Sequence, residues 1–375
     1  MIIKFFLFLI LSCALLFAQE SQEKKLSLFD EKDDMFDLSE YLSTANGFLP
    51  IPAIITEPAV GYGAGVGLVY LHDNFTGKKT KSGRIVPASM SGVVGMGTQN
   101  GTKFGGAFHI GYWLDDQIRT ITFAGLMDIN IDVYRLNGKA LSSNLKGGIG
   151  YQAFKFRMFD TNLFLGTAYL YNSVDSILKD SVDIKANHKT ASVEFLMEYD
   201  ARNNTLSPTS GYFLNLRSSF FSKSVGGDYD FQRYMANGFF YLPLNDKVNL
   251  NVKLNAESIT GKDTPFYLYP FVYLRGMPVM KVQGEHIAVS EAELSWNFTK
   301  RWDALIFGGI GKAFGTNQFK KGDVAFNNAQ NHFTKGIGFR YLLARKYGLK
   351  MGIDIASSQY DDALYIQFGT AWKGF

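Results

Sequence analysis

Between Val248 and Glu257 the chain changes character at every residue. Val248, Leu250, Val252, Leu254 and Ala256 alternate with Asn249, Asn251, Lys253, Asn255 and Glu257. A period of two belongs to a strand with one apolar face. The pattern returns along the chain. In 192–200, Val193, Phe195, Met197 and Tyr199 oppose Glu194, Glu198 and Asp200. In 347–356, Tyr347, Leu349, Met351, Ile353 and Ile355 oppose Lys350 and Asp354. In 364–372, Leu364, Ile366, Phe368, Thr370 and Trp372 alternate with Tyr365, Gln367, Gly369 and Ala371. In 102–114, Thr102, Phe104, Phe108, Ile110, Tyr112 and Leu114 oppose Lys103 and His109. A soluble sandwich hides its apolar face inside. Here the other face carries charge on strand after strand, as a wet lumen requires. The expected fold is all-β: a transmembrane antiparallel β-barrel with its apolar face toward lipid.

Sixteen strands are expected, near 48–56, 60–71, 87–98, 101–114, 117–134, 142–159, 161–172, 190–200, 211–222, 228–242, 247–259, 285–299, 302–314, 332–343, 347–357 and 362–373. An even count returns both chain ends to one side of the membrane. The first strand is the weak one, because Pro50 and Pro52 suit only an edge. Tight turns at Asp160, Asn245-Asp246, Lys300-Arg301 and Arg345-Lys346 alternate with long connections at 173–189, 260–284 and 315–331. Short turns belong to the periplasm and long loops outside. The stretch 72–86 breaks this rule.

Composition agrees. The 375 residues include 38 Gly, 33 Phe and 20 Tyr, and the mean hydropathy is −0.04. Lys4 and the apolar run Phe5 to Phe17, ending on Ala18, read as a cleaved export signal over 1–18. A lipoprotein signal ending at Cys13 is the alternative. Residues 19–46 read as a short periplasmic tether or helix, with Met35, Phe36, Leu38, Tyr41 and Leu42 able to share one face. The barrel then occupies 47–375. Cys13 is the single cysteine, so cleavage leaves no disulfide and no thiolate metal site. No metal or other cofactor is expected. A net charge of +4 without basic blocks gives no reason to expect nucleic acid. The five histidines, His72, His109, His188, His286 and His332, are scattered, and no Gly-x-Ser-x-Gly or His-Glu-x-x-His motif is present. An enzyme is therefore not expected.

Three stretches carry a resemblance. Tyr199-Asp200-Ala201-Arg202-Asn203-Asn204, followed by Ser207-Pro208-Thr209-Ser210-Gly211-Tyr212, reads as strand, turn and strand. Asp200 and Arg202 can pair there, Pro208 fixes its φ, and Gly211 relieves the start of the new strand. Leu274-Arg275-Gly276-Met277-Pro278 lies in the long 260–284 connection. An arginine inside a closed barrel needs carboxylates, which a guanidinium can grip bidentately. Glu291 and Glu293 follow on the next strand, facing inward if Leu294, Trp296 and Phe298 face lipid.

These stretches resemble the BamA/TamA-type outer-membrane assembly barrels (the bacterial surface antigen family), in their compact branch without POTRA repeats. The resemblance spans Gly47 to Trp372. It implies that Arg275 and Gly276 sit on a loop folded into the lumen, anchored by Glu291 or Glu293. It also implies a periplasmic turn at Asp200, Arg202, Pro208 and Gly211. One departure stands out: Phe307-Gly308-Gly309-Ile310-Gly311 has Gly309 where the family has an aspartate. Gly61, Gly63, Gly65 and Gly67 alternate with larger residues and read as a smooth lumen stripe, where a loop or helix can approach the wall. The alternating end, with Phe368, Trp372 and the terminal Phe375, resembles the recognition signal of exported barrels.

The implied function is protein insertion or translocation, or lipid handling, at the outer membrane of a Gram-negative-type bacterium. A passive pore for small solutes is the alternative and a barrel-embedded hydrolase the third. The implied partners are outer-membrane lipids, the barrel assembly machinery during biogenesis, and a client outer-membrane or secreted protein.

Overall fold

The computed structural model describes residues 27–44, 47–73, 78–79, 85–86, 88–134, 139–179, 184–261 and 263–372. The export signal over 1–18 and the terminal Phe375 lie outside them. Sixteen antiparallel strands form one continuous sheet in chain order. They are β1 (Gly47–Ile55), β2 (Gly63–Leu71), β3 (Met90–Thr98), β4 (Lys103–Trp113), β5 (Ile118–Tyr134), β6 (Ala140–Arg157), β7 (Leu163–Leu178) and β8 (Ile184–Asp200), then β9 (Gly211–Phe221), β10 (Phe231–Pro243), β11 (Val248–Thr260), β12 (His286–Asn297), β13 (Trp302–Phe314), β14 (His332–Ala344), β15 (Leu349–Ser358) and β16 (Asp362–Phe368). A two-residue ribbon, Lys78–Lys79 with Ile85–Val86, lies in the β2–β3 connection. No helix among the described residues is long and apolar enough to cross a membrane; the strands do that.

With an even number of antiparallel strands, β1 starts and β16 ends at the same end of the barrel. The tight β10–β11, β12–β13 and β14–β15 turns lie at this terminal end, as does the long β2–β3 connection. Outward faces carry exposed Phe195, Leu254, Trp296, Ile306 and Ile355. Strands β5 to β8, at 16 to 18 residues, exceed the ~10 that cross a bilayer. Their surplus rises at the far end, where outward side chains turn polar: Asn144 donates to Asp128 and Asn130, and Ser142 to Asp132.

One face assignment is reversed. In β4 the sequence pattern put Phe104, Phe108, Ile110 and Tyr112 toward lipid and Lys103 and His109 in the lumen. Pairing places Lys103, Gly105 and His109 opposite Asp128, Leu126 and Thr122, on the face of the exposed Leu126 and Trp113. The phenylalanines therefore point inward. Phe104 stacks inside on Phe123 of β5, so the lumen wall here is apolar, and further along the lumen is filled. Ile131, Val133, Leu141, Leu145, Val174 and Leu178 pack against Phe266, Tyr267, Phe271, Val279 and Met280 of the β11–β12 connection.

Among the described residues no hydrogen-bonded ladder closes the barrel. The sheet order begins at β1 and ends at β16, and no pairing joins them among the described residues. Pro50 and Pro52 lie in β1, at this edge.

Before β1, residues 27–44 dock across the terminal end. Arg301, in the β12–β13 turn and 2% exposed, is gripped by Asp30 (2.8 Å), Asp33 (2.8 Å) and Asp37 (2.5 Å). A six-residue helix, α1 (Ser39–Thr44), follows. Leu42, Leu38 and Tyr41 pack on Ala344, Tyr347 and Leu349. Of the residues expected to share a helical face, Met35, Phe36 and Leu38 precede this helix.

Candidate functional site

The β11–β12 connection enters the lumen and turns at Arg275-Gly276. Gly276 has φ +86°, and a Cβ there would lie 3.0–3.1 Å from Ser357 N and Ala356 of β15. Only glycine lets the turn approach the wall so closely. Arg275 then meets three carboxylates. Its Nε donates to Glu291 Oε1 at 3.0 Å, and its Nη1 to Glu293 at 2.8 Å and Asp354 at 2.9 Å. Its guanidinium carbon stands 3.5 Å from the centroid of the Phe307 ring, a cation–π contact.

Each carboxylate has further partners. Glu291 accepts from the Trp372 indole N–H at 2.7 Å. Glu293 accepts from Asn251. Asp354, fully buried, also holds Arg340 at 2.6 and 2.9 Å. Lys253 pairs across the strands with Glu291 and donates to the Tyr273 carbonyl. Three cations thus face three carboxylates. Hydrogen bonds to charged groups contribute about 1.5–3 kcal/mol each, and a buried charge stripped of its partner costs about 3–5 kcal/mol.

The departure at Gly309 has a steric sense. A Cβ at Gly309 would fall 2.6 Å from Leu274 Cδ2, and one at Gly311 would fall 2.3 Å from Val272 Cγ1. These β13 glycines make room for the loop's apolar side chains. The third carboxylate comes from Asp354, on β15. The glycine stripe of β2 differs. Gly63, Gly65 and Gly67 are lumen-facing, and Gly61 lies in the turn with φ +77°. The atoms nearest their would-be Cβ positions belong to β1, β3 and the β3–β4 turn, not to a loop or helix in the lumen.

The same loop touches both free edges of the sheet. Gly276 N–H donates to the Tyr365 hydroxyl on β16 at 3.0 Å. Val279 N–H donates to Glu57, just past β1, at 3.1 Å. Burial pushes the Glu57 carboxyl above its usual range, against the hydrogen bonds from Val279 and Ala59.

The Asp200–Arg202 turn closes on itself, with Arg202 Nε and Nη2 on Asp200 at 2.9 and 2.8 Å. Pro208 is buried, and Gly211 has φ +95°. The turn also reaches across the terminal end. Asn204 donates to the Tyr347 carbonyl, Lys350 N–H to Ser207 Oγ, and Thr370 N–H to the Leu206 carbonyl. Trp372 departs from the expected outward register. The strand stops at Phe368, which is exposed, and Gly369 (φ +75°) turns the chain inward. Trp372 packs on Phe239 and Tyr241, because a buried indole needs an acceptor and finds it in Glu291.

Asp354, Phe307, Arg340, Glu57 and Tyr365 were not singled out from the sequence. Asp354 was legible only as one of two charges, with Lys350, on the inward face of its strand. A second ionic network also escaped notice: Arg119 on Asp116 (2.6 Å) and Glu198 (2.8 Å), with Arg157 on Asp116 (2.6 Å). Of the scattered histidines, His72 and His109 meet at Ser91 Oγ, each at 2.8 Å. They do so on the outward face. Among the described residues no three His, Cys, Asp or Glu side chains converge as a metal cage.

Comparison with known proteins follows this geometry. Residues 89–370 match the family described as the Omp85 superfamily domain. BamA from Haemophilus ducreyi, in a structure lacking POTRA domains 1–3, superposes with a TM-score of 0.56 at 13% identity, covering 87% of this chain and 70% of that one. CdiB from Escherichia coli gives 0.55 at 12% identity, over 85% and 61%. CdiB from Acinetobacter baumannii gives 0.52 at 10% identity, over 86% and 59%. The chain thus spans less than two thirds of either CdiB chain. At these identities the likeness is one of fold. No curated protein matches significantly in sequence.

Proposed function

The chain belongs to the Omp85 superfamily of outer-membrane barrels, and on that footing we propose that it passes or inserts polypeptide at the outer membrane. Its terminal end faces the periplasm and its far end the outside in this reading, as the short turns and long loops favour. The carrying observation is the β11–β12 loop. It occupies the lumen, is held by Arg275, and touches both edges of a wall that no ladder closes among the described residues. A loop held by a few charge-assisted bonds can leave, and a wall without a ladder can part. The clients would be outer-membrane or secreted chains. Lipid handling through the same seam is the neighbouring reading.

A passive pore fits less well. The C-terminal turn to Trp372 and the 204–207 segment reach inward or across at the terminal end, and the loop packs the lumen toward the far end. Planar-bilayer recording tests the reading. The intact barrel should give small, flickering conductance, and deletion of 262–282 should enlarge it. A large, steady pore in the intact protein supports the passive alternative. Depletion of the protein should also remove particular clients from the outer-membrane proteome; an unchanged proteome counts against polypeptide handling.

A further inference from the structure

The lipid-facing wall is not evenly covered. Across β9 to β13 one row of outward residues runs from strand to strand: Leu216, Ala236, Ala256, Ala288 and Lys312, each opposite the next. Three alanines side by side cover the backbone thinly, and larger side chains stand around them. The result is a groove of about 740 Å³ in the outer wall, rimmed by Leu216, Phe240, Leu254 and Ile310. Strands lie ~4.8 Å apart, so the alanine floor measures about 10 Å from β10 to β12. That is wider than one hydrocarbon chain.

One end of the groove is cationic. Lys312 closes the alanine row. Its Nζ donates to the Phe326 carbonyl at 3.2 Å and stands 4.6 Å from the centroid of that ring. An ammonium has three donors, and no carboxylate lines the groove among the described residues. The next outward row toward the far end is polar. Ser258 and His286 lie opposite each other there, with Oγ and Nδ1 hydrogen-bonded at 2.7 Å.

Depth follows from strand length. Exposed Trp296 and Trp302 mark the membrane interface at the terminal end. Lys312 lies ten residues beyond Trp302 on β13, and a tilted strand crosses the hydrocarbon in ~10 residues. Lys312, Ser258 and His286 thus sit at headgroup level on the far side. Leu254 and Phe240 lie nearer the terminal end of their strands, in the hydrocarbon.

We propose that this groove holds a phosphorylated, multiply acylated glycolipid of the outer leaflet, with acyl chains over the alanines and a phosphate on Lys312. A phosphate suits the ammonium's remaining donors, and Ser258 and His286 add hydrogen-bonding groups at the same level. A glycerophospholipid presents fewer chains to so wide a floor. A second copy of the barrel would bring its own Lys312 to the same height, with no carboxylate to meet it. The leaflet rests on the orientation argued for the proposed function; the groove and its cation do not.

The test uses the full barrel in detergent micelles, with heat-dependent gel mobility as the folding control. Native mass spectrometry counts bound lipid. The probes are lipid A, its dephosphorylated form and phosphatidylglycerol. Lipid A should bind most tightly of the three. Lys312→Gln should weaken it about tenfold, and Lys312→Arg should keep it. Ala256→Phe fills the groove and should abolish binding; if it does not fold, Ala288→Phe takes its place. Ile355→Phe, on the outward face of β15, should bind as the unmodified barrel does. Unaltered binding in folded Lys312→Gln or Ala256→Phe overturns the site, as does an equal loss in Ile355→Phe. Equal binding of the dephosphorylated form overturns the phosphate contact, and tighter phosphatidylglycerol overturns the glycolipid. A dimer that Ala256→Phe dissolves would make the groove an interface between copies instead. On intact cells, Lys312→Cys should react with a membrane-impermeant thiol reagent. Reaction only after the outer membrane is opened overturns the leaflet and the orientation together, whatever the micelle result.

Discussion

Leu274 occupies the space that a side chain at position 309 would need: a Cβ on Gly309 would lie 2.6 Å from Leu274 Cδ2. The loop and the wall are thus matched residue to residue. Gly309→Asp should push the loop off β13, and Gly309→Ala should do so less, since the tip of a leucine can shift; overpacking costs about 1–3 kcal/mol. Leu274→Ala should partly restore Gly309→Ala, because the two changes share one volume. Limited proteolysis at 262–284 measures this. Equal loop protection in all variants would mean that the contact does not position the loop.

Arg275→Ala should free the loop while the barrel stays folded, since it leaves Glu291, Glu293 and Asp354 without their shared cation. The expected loss is about 3–5 kcal/mol of loop anchoring. Arg275→Lys should rescue only in part, because an ammonium cannot spread over three carboxylates in one plane. Protease access in intact cells is the measurement, with heat-dependent gel mobility as the folding control. Protection unchanged in Arg275→Ala would reduce it to an ordinary loop residue.

The carboxylates should rank. Asp354→Asn weakens the hold on both Arg275 and Arg340, whereas Glu293→Gln removes one bond at a partly exposed position. The first should loosen the loop by several kcal/mol and the second by about 1–3. Thermal melts of the two variants, compared with the unmodified barrel, decide this. A larger effect from Glu293→Gln would contradict the ranking.

Docking of residues 27–44 should be acid-sensitive. Arg301 holds the Asp33 carboxyl at about 2, below its ordinary 3.8. A depressed carboxylate contributes its stability in full above the unfolded value and loses it as pH falls toward the folded one. Hydrogen exchange over 30–42 should stay slow at pH 5–7 and quicken between about pH 4 and 2. Arg301→Ala should exchange fast at pH 7. Fast exchange at neutral pH in the unmodified protein would show that the clasp does not hold the segment.

Glu57 has the opposite sign. Burial raises its carboxyl above 4.5, so its stabilising form is the protonated one, present below that value and lost as pH rises through the raised one. Glu57→Gln keeps an acceptor for Val279 N–H without the charge. The variant should melt higher than the unmodified barrel at pH 8, and the gap should narrow at pH 4. A lower melting temperature at pH 8 would show that the ionised carboxylate is the favourable partner.

Much of this molecule follows from local pattern. Alternation such as Val248 to Glu257 specifies strands, and glycines, prolines and tight turns space sixteen of them, because side-chain direction along a strand depends only on position. The same rule put Glu291 and Glu293 on one inward face and marked Pro50 and Pro52 as edge residues. Which face is wet is not a local property. Phe104, Phe108 and Ile110 turn inward because their register with β5 sets Lys103, Gly105 and His109 on the face of the exposed Leu126, and Phe104 stacks inside on Phe123. Trp372 leaves the outward register because Glu291 offers its indole an acceptor. Asp354 becomes a partner of Arg275 because barrel curvature brings β15 beside the Arg275 turn. Strand and face are set by neighbours in the chain, whereas the anchor, the seam and the filled lumen are set by neighbours in space, which only packing decides.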